Sequence, residues 1–320
     1  MSFAYLSGNT FLKVSAKYNK SKPLAVAGIC WDGSVTNRPG TRFGPSGIRT
    51  ASHMLCDGYH PHFDTTPIGV LTDAGDFQLP NTSLEDMRSK LKPQVLSLLK
   101  QHHMVWLGGD HSITFPLLQC YHQIHGAPIA VLHFDAHCDT WSTHFDEPSG
   151  HGTWVYEAIE SGVAMKECFF QFGIRSSGIK TVRDYIQDRG GMIYTGRDLR
   201  GLESPAQLHP IIENVCMRLK EYDNPPVYLS FDIDCLDPAF APGTGTPEPG
   251  GLTSNQALTF IEEFVTRIPN IIGMDLVEVA PAYDHAQLTT NVASTVIWTY
   301  MCGMIAKSPE MKLLQVPPHD

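Results

Sequence analysis

Residues 129–139 read IAVLHFDAHCD, and this stretch decides the fold. Ile129 to Phe134 is an apolar run of strand length that stops at Asp135-Ala136-His137-Cys138-Asp139. A strand buried on both faces belongs to a sheet covered on both sides, the usual setting of parallel strands. The arrangement recurs. VWL (105–107) runs into Gly108-Gly109-Asp110-His111, VYLSF (227–231) into Asp232-Ile233-Asp234, and IIGMDLV (271–277) into Glu278. Parallel strands share one carboxyl edge, and ligands bind beyond it. Four strand ends therefore deliver acids and imidazoles to one edge.

Outward from these ends, strands are expected at 24–30, 104–107, 129–135, 168–174, 226–232 and 270–276. Helices are expected at 83–102 (with Ser83 as its cap), 113–124, 153–162, 179–189, 207–220, 254–266 and 287–306. The alternation gives an α/β fold with a mostly parallel sheet between helical layers. Residues 1–22 read as a mobile arm or a first short element, 31–48 as a Gly/Pro/Arg-rich loop, and 307–320 as a C-terminal tail. No repeat or linker divides the 320 residues, which are taken as a single domain.

The formal net charge of −10 argues against nucleic acid or an anionic membrane as a partner. The 8 cysteines are scattered without a C-x-x-C spacing, so they read as reduced thiols. No signal peptide and no bilayer-spanning stretch is expected, which points to a cytoplasmic protein.

Side chains alternate along an extended chain, so Asp135, His137 and Asp139 share a face, as do Asp232 and Asp234. Ala136, Cys138, Ile233 and Cys235 fall out of phase. A lone aspartate at a strand end is commonly a turn or cap residue. Four buried aspartates together repel one another at a cost of several kcal/mol unless cations compensate them. Two divalent ions would neutralise the set. Oxygen and imidazole donors without thiolate favour Mn²⁺, with catalytic Zn²⁺ chemically possible and Mg²⁺ less suited. His111 alone reads equally as a loop imidazole or a ligand; beside the other strand ends it becomes a candidate ligand.

LGGDHSITFPLL (107–118), VLHFDAHCDT (131–140), SFDIDCLDPAFAPGTGTPEPGGLT (230–253) and GMDLVEVAPAYD (273–284) resemble the signatures of the ureohydrolases. That family includes arginase, agmatinase, guanidinobutyrase, guanidinopropionase, proclavaminate amidinohydrolase and formimidoylglutamase. The resemblance spans about residues 24–306. It implies a three-layer α/β/α sandwich around a central eight-stranded parallel sheet, two Mn²⁺ ions per subunit, and a homotrimer or homohexamer. By motif, it implies that His111, Asp135, Asp139 and Asp232 hold one manganese. Asp135, His137, Asp232 and Asp234 hold the other. Two metals sharing a water lower its pKa, so that it attacks the guanidinium carbon. The resemblance gives Glu278 the guanidinium nitrogens and gives Asp139 and His151 the proton needed by the departing amine. Products are urea and a primary amine. Taken singly, Glu278 is as readily a structural acid and His151 a loop histidine.

Substrate choice rests on loops. The stretch 140–150, Thr-Trp-Ser-Thr-His-Phe-Asp-Glu-Pro-Ser-Gly, lacks the asparagines with which arginases bind an α-carboxylate. The motifs look agmatinase-like, and Asp146 or Glu147 could meet the ammonium of agmatine. Thr246 is a candidate for positioning the guanidinium or the product, and Glu248 is a candidate without an assigned role. Arg38 could face a carboxylate, which would suit guanidinobutyrate or guanidinopropionate; alternatively Arg38 and Arg42 brace the 31–48 loop. A zinc deacetylase would need a one-metal site, against which Asp234 and Glu278 argue. A non-catalytic metal protein would not need a complete ligand set.

Overall fold

The computed structural model describes residues 5, 6, 8–144 and 146–314. The outermost parts of the expected arm and tail lie outside the described residues. Eight strands form one sheet: β1 (Leu24–Ile29), β2 (Leu71–Asp76), β3 (His103–Gly108), β4 (Ile129–Phe134), β5 (Ala164–Ile174), β6 (Met192–Thr195), β7 (Val227–Asp232) and β8 (Ile271–Val277). Their order is β2-β1-β3-β8-β7-β4-β5-β6 and every pair is parallel. Within the buried runs, alternate residues serve opposite faces. In β1, Leu24 and Val26 join one core, while Ala25, Ala27 and Ile29 join the other. The first core is closed by helices Gly44–Ser52, Pro205–Glu221, Ser254–Arg267 and Leu288–Ala306. The second is closed by Leu84–Leu99, Thr114–His125 and Trp154–Glu160. The result is the expected three-layer α/β/α sandwich.

Six strands fall where the sequence places them; two edge strands do not. β2 reads LTDAGD, and its polarity hides it. The side chains of Asp73 and Asp76 are buried, and the fully buried Arg49 pairs with both. A buried charge is stable only when paired in this way. β6 is a four-residue, half-buried edge strand, too short to show a period. Helix Gly44–Ser52 begins inside the stretch read as loop 31–48. Its Pro45 sits in the first turn, where the missing N–H has no partner to lose. The segment 179–189 resolves into a short helix, Lys180–Arg183, and a 3₁₀ turn, Gln187–Arg189. The N-terminal segment forms a 3₁₀ turn at Phe11–Lys13. It is docked by the Phe11 N–H on Asp73 at 2.9 Å and the Leu12 N–H on Ser52 at 2.8 Å. The described part of the tail carries a helix, Pro309–Leu313.

For the site, the strand order matters most. β3, β8, β7 and β4 are consecutive neighbours, so the four motif-bearing ends are side by side at one edge. No helix among the described residues is long and apolar enough to cross a membrane.

Candidate metal centre

The strand ends converge as the sequence predicts. His111 Nδ1 lies 3.0 Å from Asp135 Oδ2, 3.3 Å from Asp139 Oδ2 and 3.1 Å from Asp232 Oδ2. His137 Nδ1 lies 3.3 Å from Asp135 Oδ1 and 3.1 Å from Asp234 Oδ2. Asp135 thus turns one oxygen to each imidazole. The four aspartates are buried. One ring nitrogen carries at most one proton, yet His111 Nδ1 faces three carboxylate oxygens. That crowding fits a cation set among them.

The ring's other nitrogen sharpens the fit. Ser230 gives its hydroxyl proton to Asp275 at 2.8 Å, so it accepts from His111 Nε2 at 2.9 Å. Nδ1 is then left with its lone pair toward the carboxylates, ready for a metal or a second proton. Burial opposes that second proton, but Asp135 and Asp232 outweigh it and hold the His111 pKa well above its usual range. Burial, with Asp234 and Asp135, pushes the Asp232 carboxyl well up, and burial with Asp135 pushes Asp139 up to about 8. Burial also opposes ionisation of Asp135, but His111 and His133 hold it well below the usual range, so the repulsion falls on Asp232 and Asp139, which divalent cations would relieve.

Two donor groups whose ligand atoms lie within 4.8 Å of one another are His111, His133, Asp135 and Asp139, and Asp135, His137 and Asp234. His133 was not among the expected ligands, and its bonds explain why it need not be one. Its Nε2 sits 2.8 Å from Asp135 Oδ2, and its Nδ1 faces the Gln171 amide at 3.0 Å. Burial lowers its pKa, so the neutral ring donates to Asp135 and aims that carboxylate. Trp154 Nε1 donates to Asp139 Oδ2 at 2.8 Å, and Asp139 has a left-handed φ of 52°. Glu278 is likewise left-handed, at φ 62°. Such backbone in non-glycine residues persists only where the surroundings impose it.

Glu278 is buried beside this cluster. Its Oε1 accepts the His111 N–H at 2.9 Å and lies 3.0 Å from His151 Nδ1. Its Oε2 is buried and has no partner. Leaving such an oxygen unsatisfied costs about 1–3 kcal/mol. His151 is brought in by the 149–153 segment, which Arg88 fastens through Glu157 at 2.8 Å and Ser149 at 3.2 Å. Gly152 suits the turn there, because a Cβ would meet the His144 ring at 2.2 Å and displace it. Burial lowers the His151 pKa, but Glu278, Asp110 and Asp139 outweigh it and raise it to about 9. Cations among the carboxylates would weaken that pull.

A cavity of about 250 Å³ opens onto the cluster, lined by Asp139, His151, Thr246, Thr36, Trp141 and His144 among others. Thr246 donates to Asp234 Oδ2 at 3.1 Å. Glu248 stands at the rim, its Oε1 3.0 Å from Ser176 Oγ and 3.9 Å from His137 Nε2. Asp146 and Glu147 do not line the cavity. They are exposed in a tight hairpin closed by mutual His144–Glu147 backbone bonds of 2.8 Å. The same loop turns Trp141 and His144 inward instead, which the acid-centred reading of it passed over. Arg38 is committed elsewhere: it donates to the Thr244 and Gly245 carbonyls at 2.7 and 3.3 Å and lies 4.3 Å over the Tyr283 ring. Arg42 pairs with Asp32. Both arginines brace the loop.

The arginase family model matches residues 22–303. An agmatinase from Chromobacterium violaceum is 36% identical over 296 residues, covering 88% of this chain and 83% of that protein. One from Cronobacter sakazakii is 36% identical, covering 92% of this chain and 91% of its own length. Among solved structures, a hypothetical agmatinase from Burkholderia thailandensis superposes with a TM-score of 0.82 at 33% identity, covering 92% and 90% of the two chains. Proclavaminate amidino hydrolase from Streptomyces clavuligerus superposes with a TM-score of 0.84 at 30% identity, covering 96% and 100%. A family match across residues 22–303, with relatives 36% identical over most of their length, makes this protein a member of the arginase family.

Proposed function

We propose that this ureohydrolase acts on agmatine, releasing urea and putrescine, with two Mn²⁺ ions held by His111, Asp135, His137, Asp139, Asp232 and Asp234. The observation that carries the reading is Glu278 Oε2, a buried carboxylate oxygen with no partner, at the wall of a metal-suited cluster. A guanidinium supplies the missing donors and the compensating charge. Bound at the cluster, two divalent ions would supply an ionised water near neutral pH. The chain's own part is positional. Glu278 binds the guanidinium and fixes its plane. His151, with Nδ1 at Glu278, carries the proton for the departing nitrogen. Asp139, held by Trp154, stands where it can pass a proton across the cluster. Thr246 steadies Asp234.

Two observations favour agmatine over guanidino acids. The similar proteins from Chromobacterium and Cronobacter are agmatinases. Arg38, the cation suited to a substrate carboxylate, is spent on Thr244, Gly245 and Tyr283. The distal ammonium is then received by the inward Trp141 and His144 rings and not by Asp146 or Glu147. The test is urea release from agmatine, arginine, guanidinobutyrate, guanidinopropionate and guanidine by the Mn²⁺-loaded protein. We expect agmatine to give the highest kcat/KM by at least about tenfold, a margin of roughly 1.4 kcal/mol. A guanidino acid in first place would reverse the substrate assignment, and no urea from any of them would end it.

A further inference from the structure

One residue at the cavity comes from a loop early in the chain, outside the four strand-end motifs. Thr36, in the 31–40 loop, is exposed, while the histidine it meets is buried. Its backbone N–H donates to His151 Nε2 at 3.1 Å, and its Oγ1 lies 2.9 Å from the same nitrogen. Across the ring, Nδ1 lies 3.0 Å from Glu278 Oε1. An amide N–H only donates, so Nε2 presents its lone pair and the ring proton sits on Nδ1, aimed at Glu278.

The loop that carries Thr36 is fixed at both ends. The Ser34 N–H donates to Asp110 Oδ2 at 2.9 Å, and the Ser34 carbonyl accepts from the His151 N–H at 3.4 Å. Beyond Thr36, Asn37 donates to the Gly245 carbonyl at 2.8 Å and Arg38 to that of Thr244 at 2.7 Å. Gly109 lets the loop approach, since a Cβ there would meet the Trp31 carbonyl at 1.9 Å. Thr36 is therefore presented to the ring by a braced wall.

We propose that Thr36 is a positioning residue for hydrolysis, holding the His151 ring so that its Nδ1–H stays on Glu278, where the guanidinium nitrogens bind. This rests on the reading of His151 as the proton carrier. Thr36→Val removes the hydroxyl and keeps shape and amide; Thr36→Ser keeps the hydroxyl. We expect kcat for urea release to fall about tenfold in Thr36→Val, with KM changed less than about twofold, and serine to recover most of the loss. In ¹⁵N-histidine spectra of the full-length metal-free chain, assigned with His151→Asn and followed above the pH of about 9 at which the ring loses its second proton, we expect the neutral wild-type ring to keep its proton on Nδ1 and the Nε2 shift to move in Thr36→Val. Wild-type kcat in Thr36→Val, or a wild-type ring protonated on Nε2, overturns the proposal. Wild-type kcat in His151→Asn instead overturns the proton-carrier reading, and with it any part of Thr36 in hydrolysis, even if the ring shift moves as expected.

Discussion

Replacing Glu278 by glutamine is expected to lower kcat/KM for urea release by between about a hundredfold and a few thousandfold, since breaking a buried charge pair costs about 3–5 kcal/mol. Glutamine preserves the shape and keeps one carbonyl oxygen, which can still accept the His111 N–H now held by Oε1. It places an amide N–H₂ where Oε2 stands without a partner. A guanidinium offers only donors, so donor meets donor at the position meant to hold the substrate plane. The loss therefore reaches kcat as well as KM, because a misplaced carbon reacts poorly even when bound. Thermal stability separates this role from a structural one. Oε2 contributes no bond within the chain, so the variant is expected to melt at or above the wild-type temperature. A variant that melts far lower while the remaining folded enzyme turns over normally would make Glu278 a structural acid.

Asp135→Ala is expected to abolish metal retention and to lower urea release by at least about a thousandfold, the scale of several kcal/mol that bound cations contribute. Asp135 is the carboxylate that both imidazoles share, with Oδ2 at 3.0 Å from His111 Nδ1 and Oδ1 at 3.3 Å from His137 Nδ1. Oδ1 also accepts the His137 backbone N–H at 2.6 Å, so the residue sets the turn that carries the next ligand. Removing it disturbs both halves of the cluster at once, whereas Asp234→Ala should spare more of the half built on His111. Metal content per chain, measured after dialysis, distinguishes the two. Equal retention by wild type and Asp135→Ala would show that Asp135 does not bridge.

The legible part of the site is the part written locally. Asp135, His137 and Asp139 follow one strand, and their two-residue spacing shows in the chain itself. Two of the three carboxylate oxygens around His111 Nδ1, those of Asp135 and Asp139, are the consequence. What was not legible depends on contacts between distant segments. Thr36 meets His151 across 115 positions, and His111 meets Ser230 across 119. No local pattern marks either. Asp275 is embedded in the apolar IIGMDLV run, and a single buried acid there was the available signal that something must satisfy it; Ser230, Thr114 and Tyr228 do. The 140–150 loop misled by composition: its acids suggested a cation site, but Asp146 and Glu147 are exposed while Trp141 and His144 line the cavity. In the fold, β2 was hidden for a related reason. Its aspartates break the apolar pattern of a buried strand, and Arg49, in helix Gly44–Ser52, neutralises them.

We propose that the cluster takes two cations to work. Metal-free protein titrated with Mn²⁺, with bound manganese per chain and urea release from agmatine followed together, tests this most directly. Activity is expected to rise with binding and to reach its plateau at two ions per chain. A plateau at one ion, or urea release from protein that holds none, would contradict it.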